Sequence, residues 1–459
     1  MAASSAGAEF GYQLLWAVAF SVFATIVLQQ MAARLGIATG TGLSESLRSS
    51  IANTALRVCA LGLVLVAIFI GNSAYQTGNI LGAATGLLSA FSATEVDGSK
   101  FWFDQNVAVV VVAALALLVI WIGRFDVLQG LLTILVVLMS LLFVVAAIRS
   151  GPDWSQVLSG FKPRVPTGAD WIVIGLVGTT VVPYNLFLHA SAAAQQWGDD
   201  GQQAADGSTD ERKSKAMAHS RWDTVFSVLV GGLITCAILI TASAAFHGEE
   251  NSAKLGKVAD VAKQLEPALG LWAKRMFALG LLAAGLTSAI TAPIAAAFAA
   301  AGCFGWTGKL SDWRLKVVAS IVVIAGAVFA IQLGNSPKET IILAQVANGL
   351  LLPIIAVCLL LMTNDGRLMG NFKNGRVSNV FAIVVILIVS VIALNQFRKV
   401  SEKLKPMWQT KTPDAAYFFS GSGLPNISVA HGSDEPPRDS GRFLDTASSV
   451  KGASIPLRV

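Results

Sequence analysis

The stretch GLVGTTVVPYNLFLHASAAAQQ, from Gly175 to Gln196, decides how this chain is read. It is apolar enough to cross a bilayer, yet Pro183 stands in its middle, with Gly178, Thr179 and Thr180 just before it. Proline has no backbone N–H, so it cannot bond the carbonyl four residues earlier. That carbonyl belongs to Thr179. In hydrocarbon an unpaired carbonyl costs several kcal/mol unless another group satisfies it. Two readings are open. One is a plain proline kink, which membrane helices tolerate. The other is a broken helix of the transporter type, whose freed carbonyl and half-helix ends hold an ion near the midplane. Tyr184 and Asn185 follow the proline, and His189 lies one turn beyond Asn185, so a polar stripe adjoins the interruption.

The rest of the chain fits that setting. Of 459 residues, 13% are charged and 54% hydrophobic, and the mean hydropathy is +0.65. Soluble domains carry about 25% charged residues. So few charges cannot cover so much apolar surface in water, which excludes a soluble enzyme, a nucleic-acid binder and a disulfide scaffold. The net charge of +6 sits in loops and tail, without a basic cluster interleaved with aromatics. It reads as loops on the cytoplasmic side of a membrane. Cys59, Cys236, Cys303 and Cys358 all lie in apolar runs and none belongs to a CxxC pair, so neither a disulfide frame nor a zinc site is expected.

A spanning helix needs roughly 20 apolar residues. Ten stretches qualify: 12–34, 56–90, 106–123, 126–148, 169–196, 219–246, 268–304, 315–334, 339–363 and 377–397. Each is longer than a barrel strand and lacks strict alternation, so the fold class is an all-α polytopic membrane protein. With the loop after the first full span placed inside, Lys and Arg are more frequent on inner loops, as expected for a multi-pass protein of the plasma membrane, the inner membrane in a bacterium. Polar composition predicts a loop over 197–215 and a disordered tail over 399–459. Met1–Gly11 is too short to span and lacks the basic start of a signal peptide; it reads as the second half of a helix.

Three further polar sets lie inside spans. Asn72, Gln76 and Asn79 share one helix face beside Tyr75; they either bond between helices or line a water-filled path. Gln345 and Asn348 precede Pro353 and carry the same two readings. Thr287, Ser288 and Thr291 precede Pro293 and are expected to pack. The Gly-rich segments 78–86 and 231–232 suit close helix packing. No span has an Asp or Glu in its middle, so the usual proton relay of a pump is missing. No hydrolase triad, HExxH or phosphate loop appears, so no enzyme and no cofactor is expected.

GTTVVPYNLFLHASA resembles the sixth-helix motif of the Nramp divalent-metal transporters. Phe10–Trp16 through Ala33–Gly40 resembles the family's second helix and its exit. Gln345-Val346 with Leu352-Pro353, then Thr363–Gly370, resembles its tenth helix and following loop. The resemblance covers residues 1–398 in order. It implies a LeuT-like fold of two inverted five-helix repeats (1–149 and 169–363), an extra helix (377–397), and broken first and sixth helices around one metal site. In the family an Asp-Pro-Gly-Asn motif breaks the first helix and supplies two ligands. Met1 falls two positions after that Asn, which implies ten full spans plus a partial first helix, from either a mis-called start codon or a truncation.

Against the family pattern several positions depart. The sixth-helix Met ligand matches Val182, and the carbonyl ligand matches Thr179. The His beside the proline becomes Tyr184. The third-helix Asp and Glu match Asn72 and Tyr75, and Gln positions of the eighth and tenth helices match Leu286 and Leu351. Asn185 and His189 are retained. Loss of a thioether tilts a site away from softer transition metals, towards harder or hydrated ions such as magnesium. The expectation is therefore a divalent-cation importer working by alternating access in the lipid bilayer, with weak or no proton coupling. Thr179, Asn185 and Tyr184 would be at the metal, Pro183 and Gly178 at the break, and Asn72, Tyr75, Gln76, His189, Gln345 and Asn348 along the path. The alternatives are a transporter of another small solute on the same fold, and an inactive truncated scaffold.

Overall fold

The first helix, α1 (Ala2–Phe10), is built almost wholly of small residues. That composition lets Ala2–Ala8 bury against α10 (Thr209–Phe246): a Cβ on Gly7 would overlap the Leu239 carbonyl oxygen. Gly11, at φ 60°, ends α1 in a conformation that only glycine adopts at no cost, and a short turn leads into α2 (Leu15–Thr39). The computed structural model describes residues 1–91, 104–123, 126–197, 209–248, 258–306, 308, 311–333 and 337–409.

After α2 a short α3 (Leu43–Ser50) precedes α4 (Thr54–Phe91), α5 (Gln105–Ile122) and α6 (Asp126–Arg149). A short α7 (Trp154–Ser159) leads to α8 (Asp170–Thr180) and α9 (Pro183–Trp197). Then come α10, α11 (Glu266–Leu269), α12 (Ala273–Phe304), α13 (Trp313–Leu333), α14 (Pro337–Asn364), α15 (Gly366–Met369) and α16 (Arg376–Gln409). Among the described residues, nine helical stretches are long and apolar enough to cross a membrane. One of them joins α8 and α9, and α14 with the 60° bend into Gly366–Phe372 makes a tenth. The fold is all-helical among the described residues, as the sequence implied.

Helix-to-helix contact relies on small residues. α12 lies along α4; a Cβ on Gly86 would come within 2.5 Å of Leu282 N, and one on Gly285 within 2.5 Å of Ala83 N. Backbones can approach this closely only where side chains are absent. α2 lies along α9 in the same way, with Gly36 against the Ala190 carbonyl. Gly232 meets Val22, but its neighbour Gly231 faces open space, so only one of that pair serves packing. Thr287 and Thr291 bond their own helix, to Ala283 O at 2.7 Å and Thr287 O at 3.1 Å. The four cysteines are unpaired.

Some boundaries differ from the sequence reading. α10 begins at Thr209, inside the stretch expected as loop over 197–215; residues 198–208 lie outside the described residues. Its first turns are polar but helical, with Lys215 pairing Glu211 at 2.7 Å across one turn, so helix extends past the membrane-suited part. At 38 residues α10 is roughly 57 Å long, well beyond the hydrocarbon thickness. α16 runs through Gln409, past the tail boundary drawn at 399; residues 410–459 lie outside the described residues. Met1–Glu402 form one unit, and Lys403–Val459 a second.

Candidate cation site at the helix break

α8 stops at Thr180 and α9 starts at Pro183, leaving Val181 and Val182 in neither helix. Proline alone does not produce this. Pro293 and Pro353 both lie inside continuous helices, α12 and α14. The approach to Pro183 differs, because Thr179, Thr180, Val181 and Val182 are consecutive β-branched residues. Such side chains are stiff at χ1 and disfavour helix, and the residue before a proline is pushed out of the α region. Val181 sits at φ −98°, ψ 83°.

The carbonyls around the break find several partners. Val177 O accepts from the Val181 N–H at 2.8 Å, and Leu176 O accepts from Thr180 Oγ1 at 2.9 Å. The Thr25 hydroxyl of α2 donates to Ser21 O of its own helix at 2.7 Å and lies 3.4 Å from Thr180 O. For Thr179 O, the residue that would donate in a continuous helix is Pro183, which has no N–H. Beyond the break, the Asn185 N–H reaches back to Val182 O at 3.1 Å.

Asn72 of α4 and Asn348 of α14 are each 1% exposed. Asn72 Oδ1 and Asn348 Nδ2 have no hydrogen-bond partner in the protein. Both residues line a small cavity with Gly71, Pro183 and Tyr184. Its volume of about 10 Å³ is close to what one water needs. A buried polar atom without a partner costs about 1–3 kcal/mol, so two of them beside a helix break mark a place built for something polar. The Tyr75 and Tyr184 rings meet edge-on, centroids 5.5 Å apart. Val182 and Tyr184 pack with Ala292 and Ala295 of α12.

Apart from Leu351, the other described residues singled out in the sequence do not line this cavity. Gly178 is buried at the end of α8, and Thr179 and Asn185 are half-buried. Gln76 is fully buried and ties α4 to α12 through Nε2 to Ala289 O at 2.9 Å, while Asn79 Nδ2 donates to its Oε1 at 3.4 Å. The bonding reading thus describes Gln76 and Asn79, whereas Asn72 on the same face keeps an open acceptor. His189 Nε2 lies 3.3 Å from Thr224 Oγ1 of α10. Gln345 sits on α14; its side chain lies outside the described residues. Leu351 lines the same cavity as Asn72 and Asn348.

Sequence reasoning missed Thr25 and Gly71. A threonine in an apolar run gives no sign that it meets a break 155 residues away. Gly71 matters because a Cβ there would come within 2.6 Å of Leu351 Cδ1 and 3.4 Å of Asn348 Oδ1. The meeting of Asn72 with Asn348 was likewise hidden, since each appeared only as part of its own stripe. Among the described residues no three His, Cys, Asp or Glu side chains stand together as metal ligands would. The polar groups at the break are uncharged: backbone carbonyls, the open Asn72 Oδ1 and the open Asn348 Nδ2.

A sequence profile of natural resistance-associated macrophage protein-like (Nramp) proteins matches residues 1–398. The chain belongs to the Nramp family. Among curated relatives, this Nramp chain is 30% identical to a divalent metal cation transporter MntH of Nostoc sp., over 80% of its own length and 79% of the relative's. It is also 30% identical to divalent metal cation transporter MntH 1 of Pseudomonas aeruginosa, over 82% and 81% of the two chains. Among solved structures, a manganese transporter of Eremococcus coleocola superposes with a TM-score of 0.69 at 23% identity, covering 92% of this chain and 84% of that one. MhsT in complex with L-phenylalanine superposes at 0.54 with 15% identity, over 85% and 94%. These likenesses show the fold of the Nramp chain, the LeuT-like helical transporter architecture. The family is one of transporters, not of enzymes.

Proposed function

We propose that this Nramp chain imports a divalent cation across the bacterial inner membrane by alternating access, with weak or no proton coupling. The observation that carries the reading is the break at Val181-Val182. It leaves the Thr179 carbonyl without its helical donor, and the far side of the break, Pro183 and Tyr184, shares a cavity with the open Asn72 acceptor and the Asn348 amide. Thr179 serves as carbonyl ligand, with Asn185 and Tyr184 at or next to the ion. Asn72, Tyr75 and Asn348 line the approach, Gln76 braces it, and His189 marks its inner side. Residues 1–149 and 169–363 are the two repeats, and one helix bundle rocks against the other. The cation is substrate, and no cofactor takes part.

Neutral oxygens suit a hard cation that keeps part of its water shell, as magnesium does. The small cavity beside Asn72 and Asn348 would take one such water. Protein in liposomes enclosing a metal-sensitive dye and a pH dye tests the reading. Manganese or magnesium uptake without internal acidification is expected. Acidification in step with uptake removes the uncoupled part of the proposal, and no uptake of any divalent cation removes the whole.

Two substitutions probe the chemistry. Val182→Met adds a thioether where the chain has an aliphatic side chain, and methionine adapts to tight surroundings. Sulfur favours softer metals, so manganese uptake relative to magnesium is expected to rise about tenfold, one ligand's worth of 1.4 kcal/mol. Competition between the two ions measures it, and an unchanged ratio places Val182 away from the ion. Asn72→Asp puts a carboxylate in the cavity lining in place of an amide. Only its ionised form attracts the cation, and that form is lost as pH falls. Uptake by Asn72→Asp is therefore expected to climb with pH more steeply than the parent's and to fall off on acidification. Parallel profiles for the two proteins would separate Asn72 from the path.

A further inference from the structure

We infer that a phosphate group binds in a cavity lined by Arg34, Arg221 and Lys373, at the end of the bundle where α2 and α14 finish and α10 begins. This is the cytoplasmic end in the orientation given by the loop charges. The cavity has a volume of about 350 Å³ and is half open to its surroundings. Three elements meet there: the last turns of α2, the polar start of α10, and the turn after α15. Gln30 and Ser220 add neutral donors to the wall, while Ile37 and Phe372 give it an apolar side.

The charge arrangement is what asks for an anion. None of the lining residues is a carboxylate. Arg34 is half-buried, and the charge of Arg221 acts on it. Among the described residues its side-chain hydrogen-bond partner is neutral: Nη1 donates to Asn374 Oδ1 at 3.0 Å. Asn374 is itself fixed, with Nδ2 donating to Thr363 Oγ1 at 2.9 Å and its backbone N–H donating to Thr363 O at 2.9 Å. An amide that is anchored in this way orients the guanidinium without neutralising it, and leaves the other N–H groups of its five for the cavity. The acid near the rim, Asp210, accepts from Asn371 Nδ2 at 3.1 Å and is not part of the lining.

Cations gathered in a half-buried cavity repel one another unless an anion joins them. Arginine forks match phosphate oxygens in a bidentate fashion, and lysine adds a point charge. Basic pockets between spans on the cytoplasmic side take lipid headgroups, and the apolar side of this cavity suits the glycerol end of one. A free phosphate ion shares the same chemistry, so the test distinguishes the two sources.

The purified full-length protein is examined by native mass spectrometry with dioleoylphosphatidylglycerol or dioleoylphosphatidylcholine. In parallel its thermal midpoint is followed with inorganic phosphate against chloride at equal ionic strength. Arg221→Gln with Lys373→Gln removes two exposed cations at little risk to folding, Arg34→Lys keeps charge but loses the fork, and Arg314→Gln removes a cation at a distant helix start. Each Lys or Arg near a lipid surface is worth about fivefold in affinity. The double variant is expected to lose at least about tenfold in phosphatidylglycerol binding, with phosphatidylcholine unaffected, Arg34→Lys weakened less and Arg314→Gln unchanged. The same pattern in the phosphate midpoint shift, without a phosphatidylglycerol preference, assigns the site to free anion instead. Equal binding by parent and double variant, an equal loss in Arg314→Gln, or no binding of either probe by the parent overturns the inference.

Discussion

Replacing Pro183 by alanine is expected to slow divalent-cation uptake at least about tenfold, a loss of 1.4 kcal/mol or more in ion stabilisation, while the protein still folds. Alanine restores the N–H that the Thr179 carbonyl lacks and has the best helix propensity. The gap at Val181-Val182 is then free to close into continuous helix, and the oxygen proposed as ion ligand becomes an internal acceptor. Because closure adds a hydrogen bond, the thermal midpoint should hold or rise as transport falls, which separates this outcome from simple damage. Pro293→Ala is the matched comparison: that proline lies inside the continuous helix α12, so uptake should stay within about twofold of the parent, the size of a surface-like effect of about 0.5 kcal/mol. Uptake retained by Pro183→Ala would mean that the break has no part in binding.

Gly36→Leu is expected to abolish the folded protein, and Gly36→Ala to destabilise it by about 1–3 kcal/mol, the usual cost of overpacking. A Cβ at Gly36 would overlap the Ala190 carbonyl, and Ala190 C and Ala194 N are each only 3.0 Å away. The neighbours are backbone, so relief requires α2 and α9 to move apart. That seam carries the half-helix after the break, so the site would move with it. Propensity works the other way, since Gly→Ala within a helix gains about 0.5–1 kcal/mol. Gly231→Ala isolates that gain, because a Cβ there meets nothing within 4 Å. Opposite signs for the two alanine variants, read from detergent-solubilised melting midpoints and monodisperse yield, are the expected result. Equal midpoints would show that the α2–α9 contact is looser than the geometry requires.

Much of the architecture was legible because the physics that sets it is local. Long apolar runs define spans wherever they fall, and Pro183 in the middle of one raised a break as one of two readings, the one the structure takes. The start of α10 was not legible, because Thr209–Ala218 is too polar to read as span yet good enough helix former to continue one. The site was only half legible. Asn72 and Asn348 each stood out as amides in apolar runs, but their shared cavity depends on how α4 and α14 pack. That depends on the close approaches at Gly71 and Gly78, which carry no signal about amides. Gln76 illustrates the reverse error of proximity: it shares a face with Asn72, yet a bond to Ala289 O consumes it.

The most direct test of the account is anomalous diffraction from crystals of the protein grown with manganese. The account predicts a peak within coordination distance of the Thr179 carbonyl oxygen, about 2.0–2.6 Å, with residues 181–182 outside either flanking helix. A metal peak elsewhere in the bundle, with that oxygen hydrogen-bonded inside an uninterrupted helix, would contradict it.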